Sequence, residues 1–248
     1  MGTPLDVGSN VNQTSLEYTS TKSIFTLDIE GKVEMVVTFL SPVIPDDLKR
    51  SSLPQSYMEV DVHSTDGSEH TVQLYTDISA GEYPSVIAST WLTSDTEWVS
   101  GDRAAIAEWS YDVSSDINAV AYHKVFRQEQ LPFAEINQQT EFGNWFYATQ
   151  STTGLMHRSG ADTVTRQQFA TSGGLDNTAD ANYRAIQDAW PVFAFAKDLG
   201  SVGSSSVSTL FQLSLHQKDA IQFLGESGVQ VVPSLWTSYF SDDVAAVS

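Results

Sequence analysis

The sequence predicts a mainly β protein: a large antiparallel two-sheet sandwich, supersandwich-like, with short helices and a C-terminal connector helix. Three observations carry that expectation. Two stretches in the first third of the chain alternate apolar and polar positions around a turn signal. Further short β-type segments recur through the middle, at 120–126, 144–151, 192–196 and 210–216. Helical periodicity is confined to the end of the chain. Greek-key-like connections suit such a pattern. A barrel-type meander also gives short strands at regular spacing and stays open as the alternative.

In chain order, Ile24, Thr26 and Asp28 alternate with Phe25, Leu27 and Ile29, Glu30-Gly31-Lys32 turns, and 33–40 returns as a second strand. Pro42 and Pro45 then interrupt the pattern. A second hairpin is expected from 57–62 and 70–75 around Thr65-Asp66-Gly67-Ser68, because Asp-Gly at a tip supplies the positive φ that a tight turn needs. Gly203-Ser204-Ser205-Ser206 reads as a loop. Residues 219–224 read as one or two helical turns. From Pro233-Ser234 onward, Trp236, Phe240, Val244 and Val247 share one face of an exit helix. These signals divide the chain into a β-sandwich domain over 1–232 and a linker helix over 233–248.

Composition narrows the function. With 41% apolar residues in 248, a sizeable core is available. No run approaches the ~18 apolar residues of a membrane span. The formal charge of −19, from 12 basic against 31 acidic residues, repels nucleic-acid phosphates and anionic membranes. Cysteine is absent, which removes disulfides, thiol nucleophiles and zinc–thiolate sites together. Met1-Gly2-Thr3-Pro4 has neither a basic n-region nor an apolar h-region, so no signal peptide is expected, and the opening reads like the middle of a longer protein.

No motif stands out as an active site. His63, His70, His123, His157 and His216 have no partner at helix or strand metal spacing, so structural, hydrogen-bonded roles are expected and no metal or cofactor. Asp176 to Asn182 carries oxygen ligands without the glycine and glutamate of an EF-hand, and reads as a solvated turn before a helix. Gly225-Glu226-Ser227-Gly228-Val229 lacks the last glycine of a nucleophile elbow, and no Ser-x-x-Lys occurs. Thr171-Ser172-Gly173-Gly174 reads as a glycine-rich turn. Trp98, Trp109 and Trp145 are candidates for ligand stacking, against a default of aromatic packing. Asn12-Gln13-Thr14 is an N-glycosylation sequon.

Several phrases, in order along the chain, resemble the fungal glutaminase A family: Glu17 to Phe25 after the sequon, Val37 to Pro42 followed by Pro45 to Leu48, Leu74 to Ala80, Glu97 to Arg103, and Pro191 to Gly200. The resemblance implies a secreted protein that hydrolyses L-glutamine to L-glutamate and ammonia. It also implies that this β domain is N-terminal and non-catalytic, structural or substrate-gating, with an α-helical toroid-like catalytic domain as its intramolecular partner. No catalytic residue of the family maps onto this sequence, and the chain alone is expected to be inactive. One departure is local: in the family, Asp-Ile-Ser-Ala runs directly into Glu-Trp-Val-Ser-Gly-Asp-Arg, whereas here residues 81–96 intervene. Gly81-Glu82-Tyr83 can be encoded around GTGAGT, Leu92-Thr93 as a branch-like CTGAC, and Thr96-Glu97 around an AG acceptor, as in a translated intron. A genuine surface loop is the competing reading. Either way a poorly packed excursion is expected at 81–96.

Three functions remain distinguishable by structure. A docking domain would show a large exposed apolar patch beside the exit helix. A carbohydrate- or ligand-binding module would show a coplanar row of exposed aromatics. A self-sufficient amidohydrolase would gather perturbed carboxylates in a cleft.

Overall fold

In the computed structural model, residues 9–80, 99–115 and 119–248 are described. The strands are β1 (Asn12–Tyr18), β2 (Lys22–Ile29), β3 (Val33–Leu40), β4 (Gln55–Ser64), β5 (His70–Ser79), β6 (Ile106–Val113), β7 (Val120–Arg127) and β8 (Glu135–Ile136). They continue as β9 (Gln139–Thr140), β10 (Asn144–Gln150), β11 (Leu155–Ala161), β12 (Arg184–Ala185), β13 (Pro191–Val202), β14 (Val207–His216), β15 (Asp219–Gly225) and β16 (Gly228–Pro233). The helices are α1 (Leu48–Ser51), α2 (Asp162–Ser172) and α3 (Asp243–Val247), with a 3-10 turn at Leu235–Ser238. None is long and apolar enough to cross a membrane among the described residues.

A nine-stranded antiparallel sheet, ordered β1-β2-β3-β4-β14-β10-β7-β6-β12, faces a three-stranded sheet ordered β11-β13-β5. The fold is therefore the mainly β, large antiparallel architecture that the alternation predicts. Successive side chains of a strand point to opposite faces. Leu27, Val37, Val60, Phe211, Tyr147 and Ala121 thus form one inner row across the large sheet, and they meet Phe195 and Val202 of β13 in the main core cluster. A second cluster joins Ala80, Val99, Trp109, Val125, Ile186 and Phe193. Truncating a buried phenylalanine such as Phe195 or Phe211 would cost about 3–5 kcal/mol.

β13 explains why one stretch reads as a continuous apolar run. Phe193 and Phe195 face the large sheet. Ala194 and Ala196 face the other way, into a cluster with Leu175, Tyr75, Met156 and Phe169 of α2. Both faces are covered, so both must be apolar, and small residues lie where a helix rides on the strand. Gly200, at φ 67, sits at the register shift between Asp198 and Gly200, a backbone conformation that favours glycine.

Three expectations need correction. The stretch 57–75 is not a hairpin: β4 pairs with β3 and β14, whereas β5 pairs with β13 in the other sheet. Both edges of β4 are occupied, so Asp66-Gly67 turns the chain from one sheet into the next. The local prediction survives, since Gly67 has φ 80 and Asp66 accepts hydrogen bonds from Ser64 Oγ and the Ser68 amide. Residues 219–224 form strand β15, not a helix. The exit helix over 233–248 is replaced by the 3-10 turn and α3, because Asp242 takes an extended conformation and starts a new helix as its N-cap.

The hairpin of β2 and β3 and the loop at 203–206 are as expected. Residues 81–96, with the intron or loop reading attached to them, lie outside the described residues.

Candidate functional site

The outer face of the nine-stranded sheet, away from the three-stranded sheet, gathers the features that can meet another molecule. Alternation puts Tyr122, Phe146 and Ala148 on this face, where Val247 and Val244 of α3 cover them. The last segment is fastened to the sheet by polar contacts as well. Gln217 O accepts hydrogen bonds from Ser234 Oγ (2.6 Å) and Trp236 Nε1 (3.1 Å). Trp236 is buried, edge-on to the His216 ring. Asp243 accepts from Lys124 Nζ at 2.9 Å and from Asn144 Nδ2 at 2.6 Å. Gln55 Nε2 donates to the Ala246 carbonyl at 2.7 Å. Burial alone would raise the Asp243 carboxyl, but the hydrogen bond and charge of Lys124, helped by Asn144 and His216, hold it below the usual range.

Beside this segment lies a groove of ≈ 530 Å³, lined among others by Lys49, Arg50, Gln55, Tyr57, Phe240 and Ser248. Lys49 Nζ sits 4.9 Å from the Phe240 ring centroid, a cation–π contact. A second hollow of ≈ 350 Å³, lined by Lys22, Thr38, Leu40, Tyr57, Glu59 and Leu210, continues from Tyr57 across the face.

Between β14 and the last segment stands the β15–β16 hairpin. Among the described residues its two strands pair only with each other. Ile221, Phe223, Leu224, Val229, Val231 and Val232 are all exposed, with Leu224 at 81%. The sequence reading missed this element. The usable signal was period-2 alternation on both sides of Gly225-Glu226-Ser227-Gly228, whose Glu226-Ser227 pair forms the hairpin turn. That motif is therefore a turn and not a nucleophile elbow.

The remaining candidate residues fall into structural settings. His63 lies 3.7 Å from Glu34 and His70 2.9 Å from Asp66. His123 is fully buried and donates through Nε2 to the Ala194 carbonyl. His157, stacked on Tyr111, lies 6.0 Å from His123 between ring centroids, a proximity no sequence spacing reveals. Thr171 to Gly174 ends α2, with Gly173 in the left-handed conformation at its C-cap. The stretch Asp176 to Asn182 follows α2 and leads into β12, so it does not precede a helix as expected. It is laced by Arg158 to Asp176 (2.8 Å) and Arg184 to Asp180 (2.6 Å).

Trp109 is buried, donating to the Asp180 carbonyl, which removes it as a stacking platform, and Trp145 is half-buried against the second core cluster. Trp98 lies outside the described residues. Asn12 is exposed on β1, an edge strand. The buried carboxylates are each held by a cation: Glu141 by Arg127 at 3.0 Å, Asp77 by a bidentate Arg166 at 2.7 and 2.9 Å. Glu141 also accepts from Ser100 Oγ and the Gly101 amide, and Arg166 ties α2 to β5. Such pairs fix loops and helices; using either acid for proton transfer would require breaking a buried ion pair.

Known proteins place the chain in a family. The family described as a domain of unknown function, DUF5127, matches residues 21–248. Glutaminase A of Aspergillus oryzae is 52% identical over 238 residues, 96% of this chain but 32% of that protein. A protein of Arthroderma benhamiae named probable glutaminase is 26% identical over 90% of this chain and 25% of its own length. Among solved structures, a heparan sulfate lyase from Pedobacter heparinus covers 91% of this chain and 28% of its own at TM-score 0.39 and 7% identity, too distant to bear on function. The chain belongs to the DUF5127 family, and it spans about a third of Glutaminase A, the relative it matches at 52% identity.

Proposed function

We propose that this chain is the N-terminal, non-catalytic β domain of a secreted glutaminase, supporting and gating an active site carried on a separate helical domain of the same polypeptide. The observation that carries the reading is the extent of the match: 96% of this chain aligns at 52% identity, yet only 32% of Glutaminase A is accounted for. Most of that protein, with ample room for an active site, lies outside the matched part. The geometry agrees. The largest concentration of exposed apolar side chains among the described residues stands beside the exit segment, as a docking domain requires. Of the tryptophans that would serve a binding module, Trp145 is half-buried against the second core cluster and Trp98 lies outside the described residues. The exposed Asn12 sequon suits a secretory route.

Ammonia release from L-glutamine tests the proposal. The isolated chain is compared with Glutaminase A in which the matched third is replaced by this chain. Activity in the chimera alone is expected. Turnover by the isolated chain would sink the proposal and make its carboxylates the next targets.

A further inference from the structure

Among the described residues, no core cluster takes in the β15–β16 hairpin. Cross-strand pairing sets Ile221 opposite Val232 and Leu224 opposite Val229, so apolar side chains emerge on both faces of the ribbon. A two-stranded ribbon that joins no larger sheet or core is marginal in water, and free apolar edges invite aggregation. Yet the ribbon is held at its base, where the Ser234 amide donates to Lys218 O at 2.7 Å and Asp219 pairs with Pro233. Its charge pattern is as pointed as its apolarity. In a chain of net −19, the ribbon carries charge only at its base, Asp219, and in its turn, Glu226. A charged partner surface would gain nothing from it, whereas an apolar one would.

We infer that this hairpin is a docking tongue whose occupant is an apolar surface on the part of the longer polypeptide that lies outside the matched third of Glutaminase A. The inference rests on the domain role proposed above and names the element that performs it. Two features select this occupant over a second copy of the chain. The curated relatives are three to four times longer than the region they share with this chain, at 32% and 25% coverage. The ribbon is also continuous with the segment fastened to the outer face, since Gln217 O accepts from both Ser234 and Trp236. It therefore stands at a fixed position relative to that face and need not find its partner by diffusion.

The test is the triple variant Leu224→Thr, Val229→Thr and Val231→Thr. Threonine keeps strand propensity while removing apolar surface, so the ribbon itself should persist. In the isolated chain the variant should melt as the parent does, with both monomeric. In the chimera with Glutaminase A, the parent should melt in one transition. The variant should split into two, and protease cleavage between the parts should accelerate about tenfold, the equivalent of ~1.4 kcal/mol of lost coupling. Amide exchange on the parent proteins needs no substitution: residues 219–233 should exchange freely in the isolated chain and be protected in the chimera. Unchanged melting of the variant chimera, or equal exchange in both contexts, would overturn the inference. So would an isolated parent chain that is a stable dimer dissolved by the variant, which would make a second copy the occupant. These readouts do not depend on ammonia release, so docking and catalytic assignment fail separately.

Discussion

His123 and His216 show how burial makes a residue pH-sensitive. His123 is enclosed by Tyr111, His157, Phe193 and Phe195, and its imidazole is pushed down to about 3 by burial, against the upward effect of its bond to the Ala194 carbonyl and with a smaller downward push from His157. His216, beneath Trp236, is lowered to about 4 by burial and by Lys124, with Asp243 opposing. In the unfolded chain both return to 6.5. Above that value both states are neutral and the groups contribute no pH dependence. As pH falls below it, the unfolded chain takes up protons that the folded one refuses, and stability declines until about pH 4 for His216 and 3 for His123. Each histidine can supply a slope of up to ~1.4 kcal/mol per pH unit. Urea unfolding at pH 7, 6 and 5 should therefore show falling stability, and His123→Gln should make the slope between pH 6 and 5 shallower while His216 and His157, which burial also lowers, keep it from vanishing. An unchanged slope in that variant would mean the histidine is solvated. None of this was legible in the sequence, where the five histidines look alike; only the pairing of β7 with β10 and the packing of β13 over it bury one of them.

At the level of elements, what was legible was local and what was not depended on pairing. The β2–β3 hairpin was read correctly because its turn, its alternation and its pairing all lie within one short stretch. The Asp66-Gly67 turn was also recognised, but the partner of β5 is β13, more than a hundred residues on, and no local pattern names it. α2 went unseen because β-branched and polar residues fill it and only Asp162 and Thr165 are buried. Residues 219–224 alone fit a helical turn as well as a strand, and only pairing with the return strand at 228–233 decides for the hairpin. For the candidate site, an apolar patch beside the exit helix is expected from the sequence, whereas the strand hairpin that carries it is not. Edge strand β1 carries a prediction of its own. Asn12 and Gln13 are exposed there, on a strand whose outer edge is unpaired among the described residues. A glycan on Asn12 would block edge-to-edge pairing as a charge or proline does elsewhere. Expressed through a secretory pathway, the chain should carry one N-linked glycan removable by a glycosidase, and Asn12→Gln should abolish the mass shift. A parent protein with no shift would remove Asn12 as a modification site.

For the whole molecule the governing quantity is charge. With 31 acidic and 12 basic residues, the folded chain concentrates like charge on a small surface, while unfolding lets those charges separate. The basic residues are unevenly deployed. Arg127, Arg166 and Arg184 are drawn into buried or half-buried pairs with Glu141, Asp77 and Asp180. Few are left to offset the acidic exterior, and exposed pairs such as Lys32–Glu30 contribute at most about 1 kcal/mol. Salt discriminates between the two contributions. The Debye length falls from ~30 Å at 0.01 M to ~3 Å at 1 M, which screens long-range repulsion over the surface far more than it weakens a buried pair at contact distance. Melting temperature at pH 7 should therefore rise with sodium chloride. If exposed ion pairs dominated, it would fall instead. The same experiment near pH 5 should show a smaller salt effect, because net charge shrinks toward the sequence pI of 4.3. Over the same interval the buried histidines lower stability. The salt dependence and the His123→Gln slope should therefore separate surface repulsion from core protonation in one set of unfolding curves.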